Sequence, residues 1–310
     1  MRARFLVISV LLGALSTTIP AEAIGTDISP VLKTKRVEFV PFAAPGWLGW
    51  SEARTGLALD PAAGKPGLMV RPEGGEAFRV NQRGTAGLSG AIDKDRLTYD
   101  LQTGKDEDSI DIAFYDLKTR THTPAPAGLN TNLREDNSSS SGDWLLFRRS
   151  KSFLSTPQTI VLRNLVTGEE RIIGRGDGGG HYAQPGRVEG DYANWFRCHG
   201  LDRCDVFTYR ISTGTTTEVP NPKRIAQYAA SVTKDGTVYF VESTSVVCGR
   251  RPAVWRLTPA GARERLARLP DGADALATFP LVSGLTTTVF FDTIDCTART
   301  FKSDIYSVTA

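Results

Sequence analysis

Lys234-Asp235-Gly236-Thr237-Val238-Tyr239-Phe240-Val241 carries two signals in eight residues. Asp and Gly supply the positive φ of a tight hairpin turn. The aromatic and β-branched run behind them suits a pleated, buried surface. The pair recurs: turn residues also precede Leu97-Thr98-Tyr99, Trp144-Leu145-Leu146-Phe147, Tyr192-Ala193-Asn194-Trp195 and Val289-Phe290-Phe291, and Trp47-Leu48-Gly49-Trp50 begins the series. The runs open at Gly46, Arg96, Asp143, Asp191, Thr237 and Thr288, at intervals of 50, 47, 48, 46 and 51 residues. A fixed period of this length marks a repeat architecture.

Each run is followed by a variable loop and a second strand-like segment ending in another turn. Examples are Thr159–Leu165 before Thr167-Gly168, and Asp205–Ile211 before Thr213-Gly214. A third segment follows in most units, such as Glu170–Ile173. With the strand before each tight turn, every unit becomes a four-stranded antiparallel meander. Meanders repeated at this period predict an all-β, six-bladed β-propeller. Alternation of period two is common and period 3.6 is not; Ala262–Leu269 is the one helix-like stretch. The chain ends just after the second strand of the sixth unit, so Lys35–Val40 is expected to complete that blade and close the ring, removing an exposed edge.

Turn Asp/Gly, aromatic strand, variable loop, Asp-Ile-Tyr-like strand and Thr-Gly turn together resemble the TolB-like propeller repeat. The best matches are Lys234–Phe240, Asp205–Tyr209 and Asp304-Ile305-Tyr306-Ser307-Val308. The likeness spans roughly 37–310 and leaves no segment for the N-terminal α/β domain of TolB itself. It implies a stand-alone exported bacterial propeller.

Arg2 and Arg4, the apolar run Phe5–Leu15 and the small-residue site Ala21-Glu22-Ala23 read as a secretory signal peptide, residues 1–23. The run is too short to span a bilayer. The propeller is then residues 24–310, secreted or held in the periplasm or cell envelope. Export makes the four cysteines candidates for disulfides. Cys198 and Cys204 flank a short loop, which leaves Cys248 with Cys296 in matching loops of units five and six. A metal site from Cys198, His199 and Cys204 is the sharper alternative, though it lacks CxxC spacing and a fourth ligand.

Composition excludes several classes. Of 310 residues, 40% are hydrophobic and 23% charged, with 30 Gly and 17 Pro, which fits a turn-rich globular chain. A net charge of +3 does not make a nucleic-acid surface. Gly87-Leu88-Ser89-Gly90 lacks the spacing of a nucleophile elbow. Lys105-Asp106-Glu107-Asp108 offers too few oxygens for calcium. Gly174–Gly180 lacks the P-loop pattern and reads as a connection. Asn137-Ser138-Ser139 reads as a polar turn in a serine-rich loop. No cofactor, metal or catalytic group is required. If a site exists, fold analogy puts it at the channel mouth, where Asn132, Arg134, Tyr182, Gln184, Gln227, Tyr228 and Thr278 lead into the innermost strands. The expected function is a non-catalytic, monomeric scaffold for an envelope or extracellular protein, with a glycan-binding or carbohydrate-active role as the alternative.

Overall fold

The computed structural model describes residues 28–54, 65–104, 108–152, 157–178, 181–246, 248–269, 273–275, 277–284, 286–296 and 303–310. The signal segment, Asp106 and Glu107 lie outside the described residues. Within them every regular element is a strand, and the strands form blades of antiparallel pairs. β1 (Ser29–Leu32) precedes the first blade, a meander of β2 (Val37–Ala44), β3 (Trp47–Ala53), β4 (Gly67–Pro72) and β5 (Phe78–Arg79). The second comprises β6 (Ala86–Asp93), β7 (Arg96–Gln102), β8 (Ile110–Asp116) and β9 (Thr121–Thr123). The third comprises β10 (Arg134–Ser141), β11 (Trp144–Ser150), β12 (Gln158–Asn164) and β13 (Glu170–Gly176).

Next comes an eight-stranded sheet made of two meanders. β14 (His181–Glu189), β15 (Tyr192–His199), β16 (Cys204–Arg210) and β17 (Thr215–Glu218) form one. β18 (Ala226–Val232), β19 (Val238–Ser243), β20 (Ala253–Leu257) and β21 (Arg263–Arg268) form the other. A single parallel pair, Cys204 with Ala226, joins them. The last sheet contains β22 (Ala273–Asp274), β23 (Thr278–Ser283), β24 (Thr286–Asp295) and β25 (Ser303–Thr309), with β1 added along the outer edge of β25.

The hairpin turns form where the Asp/Gly signals place them. Gly142 (φ +56°) and Gly190 (φ +58°) supply the left-handed residue before β11 and β15. The aromatic runs become the second strand of each meander. β19 is buried along its whole length, because a neighbouring blade covers each face. Gly49 interrupts the first run because the Phe42 ring lies where its Cβ would be. Innermost strands pack in sequence: β2 on β6, β6 on β10, β10 on β14, β14 on β18, β18 on β23, and β23 on β2. Phe279 and Ile305 of the last sheet share an apolar cluster with Phe42 and Trp50 of the first and Tyr99 of the second.

Three sequence expectations are corrected. Lys35–Val40 does not complete the last blade: from Val37 it is β2, innermost in the first meander. The strand on β25 is the earlier Ser29–Leu32, whose Pro30 suits an edge because it has no N–H to contribute to a ladder. The helix-like Ala262–Leu269 contains β21, where burial of Leu266 and Ala267 and the ladder to β20 override helix propensity. The serine-rich segment after Asp136 is part of β10, with Ser138, Ser139 and Ser140 all buried. Ser140 pairs with the Thr98 hydroxyl at 2.7 Å, and Ser139 accepts from the Val188 N–H at 3.2 Å, so these hydroxyls tie neighbouring blades together.

Candidate ligand site in the channel

Five innermost strands carry a bulge at mid-length. The residues left out of register are Val40-Pro41, Leu88-Ser89, Asn137-Ser138, Gly186-Arg187 and Ala229-Ala230. All ten line one cavity of about 300 Å³ on the axis where these strands converge. A bulge re-aims side chains that a regular pleat would send between blades. Val40, Asn137 and Ala229 hold φ near +50°, which costs a β-branched valine most.

Carboxylates on the second strands hold these bulges. Asp100 of β7 accepts the Asn137 N–H at 2.6 Å, the Ser138 N–H at 3.0 Å and the Ser138 hydroxyl at 2.7 Å. It also accepts the Ser89 hydroxyl. Asp292 of β24 accepts the Val40 N–H at 3.1 Å and the Ala277 N–H at 3.0 Å. In both cases a carboxylate on one blade fixes the strained backbone of the next.

The cavity wall also holds a buried charge network. Asp136 receives Nε of Arg148 at 2.7 Å, Nη2 of Arg148 at 2.5 Å and Nε of Arg134 at 2.5 Å. Burial alone would raise the Asp136 pKa, but the two guanidiniums outweigh it and hold it below the ordinary range. Asp100 is the opposite case. Burial, reinforced by the charge of Asp136, pushes it up to about 6 despite its hydrogen bonds. Deeper in, Arg187 crosses the lumen from β14 to β23. It donates to the Pro280 carbonyl at 2.8 Å and to Glu189 at 2.6 Å, with its guanidinium 4.0 Å from the Phe279 ring centre. Arg187 also lines a second cavity of about 660 Å³ among the hairpin turns at the other end.

The structure brings three of the seven sequence-nominated residues to the first cavity. Gln184 is half-buried on its wall; Arg134 and Thr278 are buried there, with the Thr278 hydroxyl donating to the Ala229 carbonyl at 2.5 Å. Asn132 is exposed in the loop before β10 and is not on the wall. Tyr182 packs against the core between the fourth and fifth meanders, where burial pushes its hydroxyl up to about 12. Gln227 is fully buried and donates to the Pro220 carbonyl at 3.1 Å. Tyr228 is buried and donates to Asp274. Tyr182, Gln227 and Tyr228 are thus packed between blades and away from the lumen.

Both expected disulfides are present, Cys198–Cys204 and Cys248–Cys296. They fit an extracytoplasmic protein. The first leaves no thiolate for the Cys198–His199–Cys204 metal alternative. Among the described residues, no three His, Cys, Asp or Glu side chains gather where they could hold a metal. No helix there is long and apolar enough to cross a membrane. Gly174 of the glycine-rich stretch packs on the Trp195 ring, so its small size serves packing.

Asp274 is the second acid moved far from its usual range. It accepts from the Tyr228 hydroxyl, the Cys248 N–H at 2.7 Å and the Ala275 N–H at 2.8 Å, yet burial pushes it up to about 6. Near pH 5 the folded protein keeps protons on Asp100 and Asp274 that the unfolded chain, with values near 3.8, has mostly released. Stability from these groups therefore rises as pH falls from about 7 to about 4.5, by about 2 kcal/mol each. Asp274→Asn removes one share. The measurement is melting temperature from pH 7.5 to 5.0. Wild type is expected to gain on the variant as pH falls, and parallel curves would show that Asp274 titrates normally.

The blades are those of a TolB-like β-propeller fold. No family model matches the chain, and no curated protein matches it. Among solved structures, TolB from Acinetobacter baumannii aligns with a TM-score of 0.54 at 16% identity, over 86% of this chain and 64% of that one. A prolyl endopeptidase aligns at 0.53 and 10% identity, over 86% of this chain and 41% of that one. An oligogalacturonate lyase from Vibrio parahaemolyticus aligns at 0.52 and 11% identity, over 93% and 94%. The chain thus spans less than two thirds of the TolB and of the endopeptidase. Identities this low carry the fold alone.

Proposed function

We propose that this protein is an exported six-bladed β-propeller, residues 24–310 after removal of residues 1–23, and that it binds a ligand in its channel without catalysis. The ligand is a segment of an envelope or extracellular protein, and the propeller acts as a monomer. The observation that carries the reading is the convergence of ten out-of-register residues on one cavity. Five bulges, three with strained non-glycine residues, are a costly way to line an idle lumen. The meander period and the sequence of inner-strand contacts, returning from β23 to β2, support six blades and closure. The two disulfides support export. The absence of a catalytic role is supported by the wall acids, because this chain's own donors occupy both Asp100 and Asp136.

One observation favours a second reading, a carbohydrate-active enzyme or lectin at the same mouth. Asp100 and Asp136 share the wall with pKa values driven apart, the arrangement acid–base chemistry uses. The oligogalacturonate lyase among the similar folds is consistent with that alternative.

Leu88→Ala/Gln184→Ala alters two half-buried wall positions and should leave the melting temperature within about 2 °C. Wild type and variant would be assayed against arrayed envelope-protein peptides and oligosaccharides. Peptide binding at least tenfold weaker in the variant supports the scaffold. Oligosaccharide turnover abolished by Asp100→Asn replaces it with the catalytic reading. Binding indifferent to the variant overturns both.

A further inference from the structure

Away from the channel wall, His181 at the start of β14 stands directly across the ladder from His199 at the end of β15. Their rings meet: Nδ1 of His199 lies 2.7 Å from Nε2 of His181, with ring centres 4.2 Å apart. The sequence groups His199 with Cys198 and Cys204. Folding gives those sulfurs to each other and gives His199 a partner 18 residues upstream. We propose that His181 and His199 chelate one transition-metal ion of the Zn²⁺, Ni²⁺ and Cu²⁺ class, with water filling the other positions.

Three observations carry the inference. The two nitrogens already face each other at 2.7 Å. Two imidazoles on one tetrahedral ion, with bonds of about 2.0–2.1 Å, have nitrogens about 3.3 Å apart, so the pair needs to open by only about 0.6 Å. The backbone beneath them is pinned: Tyr182 pairs with Cys198 in the next rung, Cys198 is bonded to Cys204, and the His199 N–H donates to the Arg203 carbonyl at 2.8 Å. A pinned donor pair loses little freedom on chelation. His199 is exposed and His181 half-buried, which leaves room for water on the ion. No proton need leave the protein. The imidazole whose N–H lies between the rings moves that proton to its other nitrogen through solvent, and both facing lone pairs then meet the metal. With two imidazoles as its only protein donors, the site should rank Cu²⁺ above Ni²⁺ and Zn²⁺ and ignore Mn²⁺ and Ca²⁺, which prefer oxygen.

The test is calorimetric titration of the tag-free mature protein with each of the five chlorides. One saturable site is expected for Zn²⁺, Ni²⁺ and Cu²⁺ and none for Mn²⁺ or Ca²⁺. His199→Ala, at an exposed position, and His181→Ala should each weaken Zn²⁺ binding at least tenfold. Zn²⁺ should raise the melting temperature of wild type and have little effect on either His→Ala variant. His122→Gln, which alters the remaining histidine, should bind like wild type. Absence of saturable Zn²⁺ binding overturns the proposal, as does binding that survives both His→Ala variants. Mn²⁺ bound as tightly as Zn²⁺ would overturn the imidazole site in favour of an oxygen-donor one.

Discussion

Asp136→Ala will lower the free energy of unfolding by about 3–5 kcal/mol, far more than an ordinary polar truncation. Asp136 is 2% exposed and lies between Arg148, 1% exposed, and Arg134, 5% exposed. The aspartate is small and its removal leaves little void. What remains is two guanidiniums in the wall with their shared counter-ion gone; Asp108 approaches Arg134 only to 4.0 Å. Buried positive charge stripped of the carboxylate that bridges it, more than lost attraction, makes the change expensive. The argument has a second consequence. Replacing the group with apolar residues of similar volume, Arg134→Met/Asp136→Leu/Arg148→Met, should cost much less than Asp136→Ala alone, because no orphaned charge remains. Urea unfolding of the two variants decides it. A single-variant loss below about 1 kcal/mol would mean that water reaches both arginines.

The same wall shows what the sequence could and could not convey. The repeat was legible because each hairpin needs a left-handed residue and each second strand is buried on both faces. Those local demands leave the same Asp/Gly and aromatic marks about every 48 residues. The cavity was not read, though its marks are present. Pro41, Pro185-Gly186, Gly87 and Gly90 stand in the middle of first strands, where a regular ladder rejects proline and gains little from glycine. Residues hostile to a pleat, present in three of the five bulged strands, are the trace of the bulges. The sequence points instead to the ends of those strands, where Gln227 and Tyr228 are buried between blades. Asn137–Ser141 misled for a related reason. Serine is a loop residue on average, but here small hydroxyls let two blades approach and bond across the gap. The His181–His199 pair follows from register alone, which no spacing rule reveals.

Cys248→Ser/Cys296→Ser will cost about 4 kcal/mol, and Cys198→Ser/Cys204→Ser about 2 kcal/mol. The difference is one of loop length: the first bridge spans 48 residues and the second six, and a crosslink removes more freedom from the unfolded chain when it closes a longer loop. Structure sharpens the ranking. Cys204 faces Cys198 across a hairpin whose ladder already holds the two together, so its bridge repeats a constraint the sheet supplies. Cys248 and Cys296 sit in loops of different sheets, and no strand pair joins β20 or β19 to β24. That bridge lies at the junction between the fifth meander and the last sheet. Its loss also frees the Cys248 N–H from Asp274, and with it one of the bonds positioning the Tyr228–Asp274 contact. Urea unfolding of the paired variants under identical conditions gives both values. The larger drop must follow Cys248 and Cys296; the reverse order would mean that the junction is held by packing such as Phe291 and Val308 against the fifth meander, with the bridge adding little.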